Sequence, residues 1–265
     1  MIGPTLRPRR PGSPRMRALT ALAAAAALLG VSVVADAAFT LKVTPIPIVI
    51  AGGGTSTMVE LSNEGKEPLR LEAEAFAWSQ SAAGEDELTP TTEILVFPSV
   101  LTVEPGKTRK VRVGTQGGYG PAEKAFRVIF GEIPPNATSV TDGEVVKVIA
   151  RVSVPIFVQP SGVAATLRLE NLMATKDRVR LQARNSGRSH ARIDRITVKF
   201  LGPNDQVLGT SEAPGWYVLP GKVRPFEIPV PPGAGCAGAA RAVVTATTED
   251  AGSPTATLDR PACAS

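Results

Sequence analysis

The chain reads as an all-β protein made of two β-sandwiches, and three observations carry that reading. Short runs rich in Val, Ile, Phe and Thr recur along its 265 residues. Gly, Pro, Asn and Asp turn signals separate them. No long amphipathic helical period intervenes, whereas a doubly wound α/β fold needs helices between its strands.

In order, the first half predicts strands over residues 39–43, 56–62, 69–78, 110–114, 125–130 and 145–158. Residues 49–51 begin a further strand. Gly52-Gly53-Gly54 follows as a hairpin-type loop; it is no phosphate cradle, because no helix pattern comes after it. Residues 79–92 are polar and acidic and read as a solvent-exposed loop. The second half predicts strands over 164–169, 178–185, 192–200, 224–230 and 240–247. Trp216 to Lys222 reads as a strand entering a turn, with Trp216 a core or corner aromatic. Gln159-Pro160-Ser161-Gly162 is the expected connection between domains at 38–160 and 161–265. Composition is similar in the two halves, but no internal repeat stands out.

Residues 1–37 carry the pattern of a secretory signal peptide. Arg7, Arg9, Arg10, Arg15 and Arg17 precede an Ala- and Leu-rich run, which ends at the small-x-small site Ala35-Asp36-Ala37. The start codon is Met1 or Met16. The apolar run is short for a membrane span, so no integral membrane segment is expected after cleavage. Without the leader, 24 basic residues face 23 acidic ones, which removes any charge argument for nucleic acid. Export also bears on the two cysteines. An even pair in an oxidising compartment predicts a Cys236–Cys263 disulfide, and two cysteines make no structural zinc set.

Catalytic chemistry is not assembled. The single histidine, His190, sits in a turn-like stretch and reads as a surface residue. There is no Gly-x-Ser-x-Gly elbow and no Gly-Lys-Ser/Thr phosphate loop. Gly84-Glu85-Asp86-Glu87 reads as a solvated loop rather than a cation site. The expectation is a protein that is not an enzyme, with no cofactor and no metal.

The most informative stretch is residues 144–155. Every second residue from Val146 to Val154 is apolar, while the other row carries Lys147, Arg151 and Ser153, with Ile149 the exception. Period-two alternation puts the two rows on opposite faces of a strand. Such a strand is either an ordinary half-buried one or an edge that lends its apolar row to another polypeptide.

An ordered set of motifs resembles the periplasmic pilus chaperones of chaperone–usher systems. It runs through Val59-Glu60-Leu61-Ser62-Asn63, Val103-Glu104-Pro105-Gly106-Lys107, Lys110-Val111-Arg112-Val113, Glu123-Lys124-Ala125-Phe126-Arg127-Val128 and Gly131-Glu132-Ile133-Pro134-Pro135, and ends in the 145–158 strand. The resemblance covers residues 39–160 well and 161–265 more loosely. It implies two immunoglobulin-like β-sandwiches set in an L shape and a periplasmic location. It also implies a function: binding pilus subunits that lack their last strand, filling the groove by donor-strand complementation, preventing aggregation, and delivering the subunits to an outer-membrane usher. The donated row is then Val146, Val148, Ala150 and Val152, each contributing about 1–2 kcal/mol when buried. Ala150, the smallest, fills its pocket least. An interdomain charge network of Arg112, Glu123 and Asp250 is also implied. Self-association of the unloaded form through the exposed strand is a further implied partner state.

Two positions depart from the family pattern. The basic pair that anchors the subunit's terminal carboxylate in relatives aligns with Pro47 and Pro155, and neither can donate a charge-assisted hydrogen bond. Lys42, Lys147 and Arg151 are the nearest basic residues, with Lys147 and Arg151 on the face opposite the donor row. The departures suggest a divergent branch, of archaic or spore-coat type. The competing reading is a secreted immunoglobulin-like adhesin or pilus structural subunit. Such a subunit carries an amino-terminal donor extension, and here the first strand starts almost at the cleavage site.

Overall fold

A computed structural model describes residues 41–134, 151–230, 233 and 236–262. The signal sequence, Val146, Val148, Ala150 and Cys263 lie outside the described residues. All regular elements among the described residues are strands, and those residues belong to one compact unit.

The first half contributes ten strands: β1 (Leu41–Thr44), β2 (Ile48–Ala51), β3 (Ser56–Asn63), β4 (Leu69–Gln80), β5 (Asp86–Pro90), β6 (Ile94–Phe97), β7 (Val100–Val103), β8 (Thr108–Thr115), β9 (Lys124–Glu132) and β10 (Arg151–Gln159). One sheet runs β1-β3-β8-β6 and the other β2-β10-β9-β4-β5, with β7 also on β4. All these pairs are antiparallel except β2 with β10. Alternation explains the layering. Val59 and Leu61 on β3 and Val111 and Val113 on β8 face inward from one sheet. Leu69, Leu71, Phe126, Val128 and Phe130 face them from the other.

The second half adds β11 (Leu167–Ala174), β12 (Arg178–Asn185), β13 (Ala191–Leu201), β14 (Val207–Pro214), β15 (Tyr217–Val218), β16 (Val223–Pro229), β17 (Arg241–Thr248) and β18 (Thr255–Asp259). Its sheets run β11-β12-β16 and β14-β13-β17-β18. They enclose a separate core that includes Leu181, Ile193, Ile196, Val198, Phe200, Ile228 and Val244.

Two expectations about connections need correction. Gly52-Gly53-Gly54 is not a hairpin loop, because β2 and β3 lie in different sheets and the turn carries the chain between them. Residues 79–92 are not a loop either: β5 folds back on β4 in register from Phe76↔Pro90 to Gln80↔Asp86.

The structure also uncovers a repeat that the sequence reading missed. Asn63 ends β3, and its buried amide donates to the carbonyls of Glu67 (2.7 Å) and Val103 (2.9 Å) and accepts from the Gly65 N–H (2.9 Å). Asn185 ends β12 and does the same with Ser189 (2.8 Å), Val218 (3.0 Å) and the Gly187 N–H (3.0 Å). Val103 opens Val-Glu-Pro-Gly-Lys and Val218 opens Val-Leu-Pro-Gly-Lys. In both turns the Lys N–H donates back to the residue before Pro, at 3.0 Å from Lys107 and 3.1 Å from Lys222. Gly106 and Gly221 take φ of 65° and 71°, the third position of a type II turn, where a side chain would be strained. Each sandwich therefore carries the same asparagine-to-turn tie. Asn63→Ala leaves buried backbone groups unpaired and is expected to cost about 2–3 kcal/mol in urea unfolding.

Candidate functional site: an open strand edge and the junction beside it

β10 is covered unevenly. β9 pairs with it from Arg151 to Val158, but β2 joins on the other side only from Ile156 to Gln159. Among the described residues, Arg151 to Pro155 therefore have no strand on that second side. The register passes through Pro155, opposite Arg127, without a shift. One row of β10, Val154, Ile156 and Val158, is buried in the first core, and Val152 packs half-buried against it. The other row starts polar, at Arg151 and Ser153, and runs through Phe157 to Gln159. Phe157 is fully buried in a small third cluster with Trp78, Tyr217 and Leu219, between the two main cores. This double cover explains why 154–158 is a continuous apolar run rather than an alternating one.

The β4–β5 hairpin supplies one side of the junction. Gln80 is buried, and its side-chain amide donates to the Tyr217 carbonyl (2.9 Å) and accepts from the Leu219 N–H (3.0 Å). It bonds that segment as a neighbouring strand would. At Gly84, φ is +81° and a Cβ would meet Pro225 Cδ at 2.4 Å, so both conformation and close approach call for glycine. Asp86 accepts from Gln80 (3.1 Å), from Arg224 (3.2 Å) and from the indole N–H of Trp216 (2.8 Å). Trp216 is thus no core residue. It stays 40% exposed and closes over this polar cluster.

Arg127 occupies the middle. Its guanidinium lies 4.0 Å above the Trp78 ring and 5.7 Å from Trp216. Nη1 donates to Ser153 on β10 (3.3 Å), and Nη2 stands 3.7 Å from Asp86. Burial pulls this guanidinium below the ordinary arginine value, while Asp86 pulls it back up. Burial likewise pushes the Tyr217 phenol up.

The other side of the junction centres on Glu123, whose side chain is wholly out of solvent. It accepts from Ser189 Oγ (3.0 Å), the His190 backbone N–H (3.0 Å) and His190 Nδ1 (2.8 Å). The expected Arg112–Glu123–Asp250 network is not formed. Arg112 alternates with the buried Val111 and Val113, so it points off the sheet and donates to Ser56 (3.2 Å). Asp250 lies exposed in the turn after β17. Of the three, only Glu123 reaches the junction, and its oxygens are taken up by the 189–190 turn. His190 is likewise not a surface histidine. Its ring stacks on Phe157, with centroids 3.6 Å apart and planes at 11°.

The alternative basic residues near Pro47 and Pro155 are paired where they are described: Arg151 with Glu74 (2.5 Å) and Lys42 with Glu64 (4.0 Å). Cys236 is buried against the second core, and its proposed partner Cys263 is outside the described residues. Among the described residues there is no His/Cys/Asp/Glu group able to hold a metal ion, and no helix long and apolar enough to cross a membrane.

Two sandwiches with an aromatic and polar junction, one strand of which is open along half its length, define a class of protein by fold. Comparison with known proteins agrees. A chain of the CsuC–CsuE chaperone–tip adhesion subunit pre-assembly complex, from the archaic chaperone-usher Csu pili of Acinetobacter baumannii, superposes with a TM-score of 0.57 at 18% identity, covering 82% of this chain and 97% of that one. A chain of the Salmonella enterica SafA pilin–SafB chaperone complex gives 0.54 at 16% identity, covering 85% and 98%. These likenesses establish the fold, two immunoglobulin-like β-sandwiches. Chaperone protein FimB/FhaD of Bordetella pertussis is 26% identical over 156 residues, which are 57% of this chain and 63% of that protein. Residues 40–164 match the pili and flagellar-assembly chaperone family, PapD N-terminal domain. The family is one of chaperones rather than of enzymes.

Proposed function

We propose that the protein is a periplasmic chaperone that completes pilus subunits by lending them a strand. The observation that carries this reading is the open side of β10 from Arg151 to Pro155. A subunit that lacks its last strand exposes an apolar groove between two unpaired edges. A strand with one free side supplies the missing main-chain hydrogen bonds, and its alternate side chains fill the groove. Val152 and, in the same two-residue phase, Val146, Val148 and Ala150 form the lent row. The family match at residues 40–164 supports the same activity.

The remaining parts of the reading follow. Residues 1–37 direct export and are removed, residues 38–160 carry the lending strand, and residues 161–265 form the second domain with the Cys236–Cys263 bridge. An outer-membrane usher receives the loaded complex. In the absence of a subunit, the free edge is open to transient pairing with a second copy.

Co-expression with a pilus subunit that lacks its final strand tests the proposal. The expected result is co-purification of a 1:1 complex and a soluble subunit. A subunit that precipitates equally with and without the chain would refute the reading.

A further inference from the structure

We infer that the Ser189–His190 turn of the second sandwich is a clamp on β10, and that His190 is a positioning residue for subunit binding. The inference rests on the reading of β10 as the lending strand. The turn holds two residues of one β10 row. His190 stacks face to face on Phe157, and Ser189 Oγ accepts from Gln159 Nε2 at 2.8 Å. The same two turn residues are fixed from the other side by Glu123, which takes the Ser189 hydroxyl, the His190 backbone N–H and His190 Nδ1. The Glu123 backbone N–H in turn donates to the Arg188 carbonyl (2.9 Å). Asn185 braces the turn from beneath, donating to the Ser189 carbonyl.

The arrangement bears on function because of where it grips. Among the described residues, β10 has only β2 on its second side, over Ile156–Gln159, and the clamp acts on the same few residues. The open edge begins immediately before them, so the clamp sits where the strand passes from supported to free. Glu123 Oε1 stands 2.8 Å from His190 Nδ1, and this contact fixes the imidazole plane against Phe157. Among the described residues no Lys or Arg contacts Glu123, so its side chain is held there by these donors, and the turn and the buried carboxyl group hold each other in place.

Three variants test the inference, in the full chain loaded with the subunit that co-purifies with the parent protein. His190→Ala is expected to weaken subunit binding about tenfold and to speed amide hydrogen exchange along residues 151–158. His190→Asn restores a donor to Glu123 without the stack and is expected to recover part of both. His190→Phe restores the stack without the donor; it is expected to recover the other part and carries the test if His190→Ala does not fold. Unchanged exchange in the first variant would overturn the clamp. Faster exchange with unchanged affinity would overturn its role in binding. A parent chain that captures no subunit would instead refute the functional reading itself, before any variant is compared.

Discussion

Val148→Arg is expected to abolish capture of a pilus subunit while leaving thermal unfolding of the free chain unchanged. The phase of the strand places the effect. Val154, Ile156 and Val158 enter the protein's own core, and Val152 is the half-buried transition. Counted along the sequence in steps of two, the proposed lent row continues from Val152 through Ala150 to Val148. A valine there contributes about 1–2 kcal/mol on entering an apolar groove. An arginine brings a charge into the same groove with no partner, at a cost of several kcal/mol. Co-purification and a melting curve check the two halves of this expectation. Capture that survives the substitution would show that the row is not the one lent.

The second large effect falls on Phe157, and it concerns stability. Phe157→Ala is expected to cost about 3–5 kcal/mol. The ring is fully buried, stacks on His190, and lies 6.0 Å from Trp78 and 5.7 Å from Tyr217 by centroids. Its removal opens a cavity at the junction rather than within either sandwich. The chain's two tryptophans, Trp78 and Trp216, both stand there, so denaturant unfolding followed by indole fluorescence reads the site directly. A loss below about 1 kcal/mol would mean that the junction is collapsible and does little to hold β10.

Strands with an apolar row were legible from the sequence because alternation records which face is buried. Those expected over residues 56–62, 69–78, 125–130 and 178–185 all lie within observed strands. β5 was not legible, because all five of its residues are exposed and no buried apolar row marks it. β14 and β18 are similarly polar strands at sheet margins, where propensity says little. The repeated Val-x-Pro-Gly-Lys turn was present in the letters, at Val103 and at Val218. Its meaning became visible only once Asn63 and Asn185 were seen tied to those two valines.

The junction was the least legible part. Glu123 and His190 are 67 residues apart, and nothing local to either marks the other. Asp86 looked like a solvated acid because its partners, Trp216 and Arg224, come from the far half of the chain. The charge network suggested by family likeness failed at Arg112 for a reason the sequence does contain: Arg112 alternates with Val111 and Val113, so it faces away from what they bury.

The most direct test of strand lending is amide hydrogen exchange over residues 145–154, compared between the free chain and its 1:1 complex with a subunit. Strand lending predicts strong new protection concentrated in that segment, as free backbone groups gain partners on the guest. Equal exchange in both states, or protection confined to other strands, would contradict it.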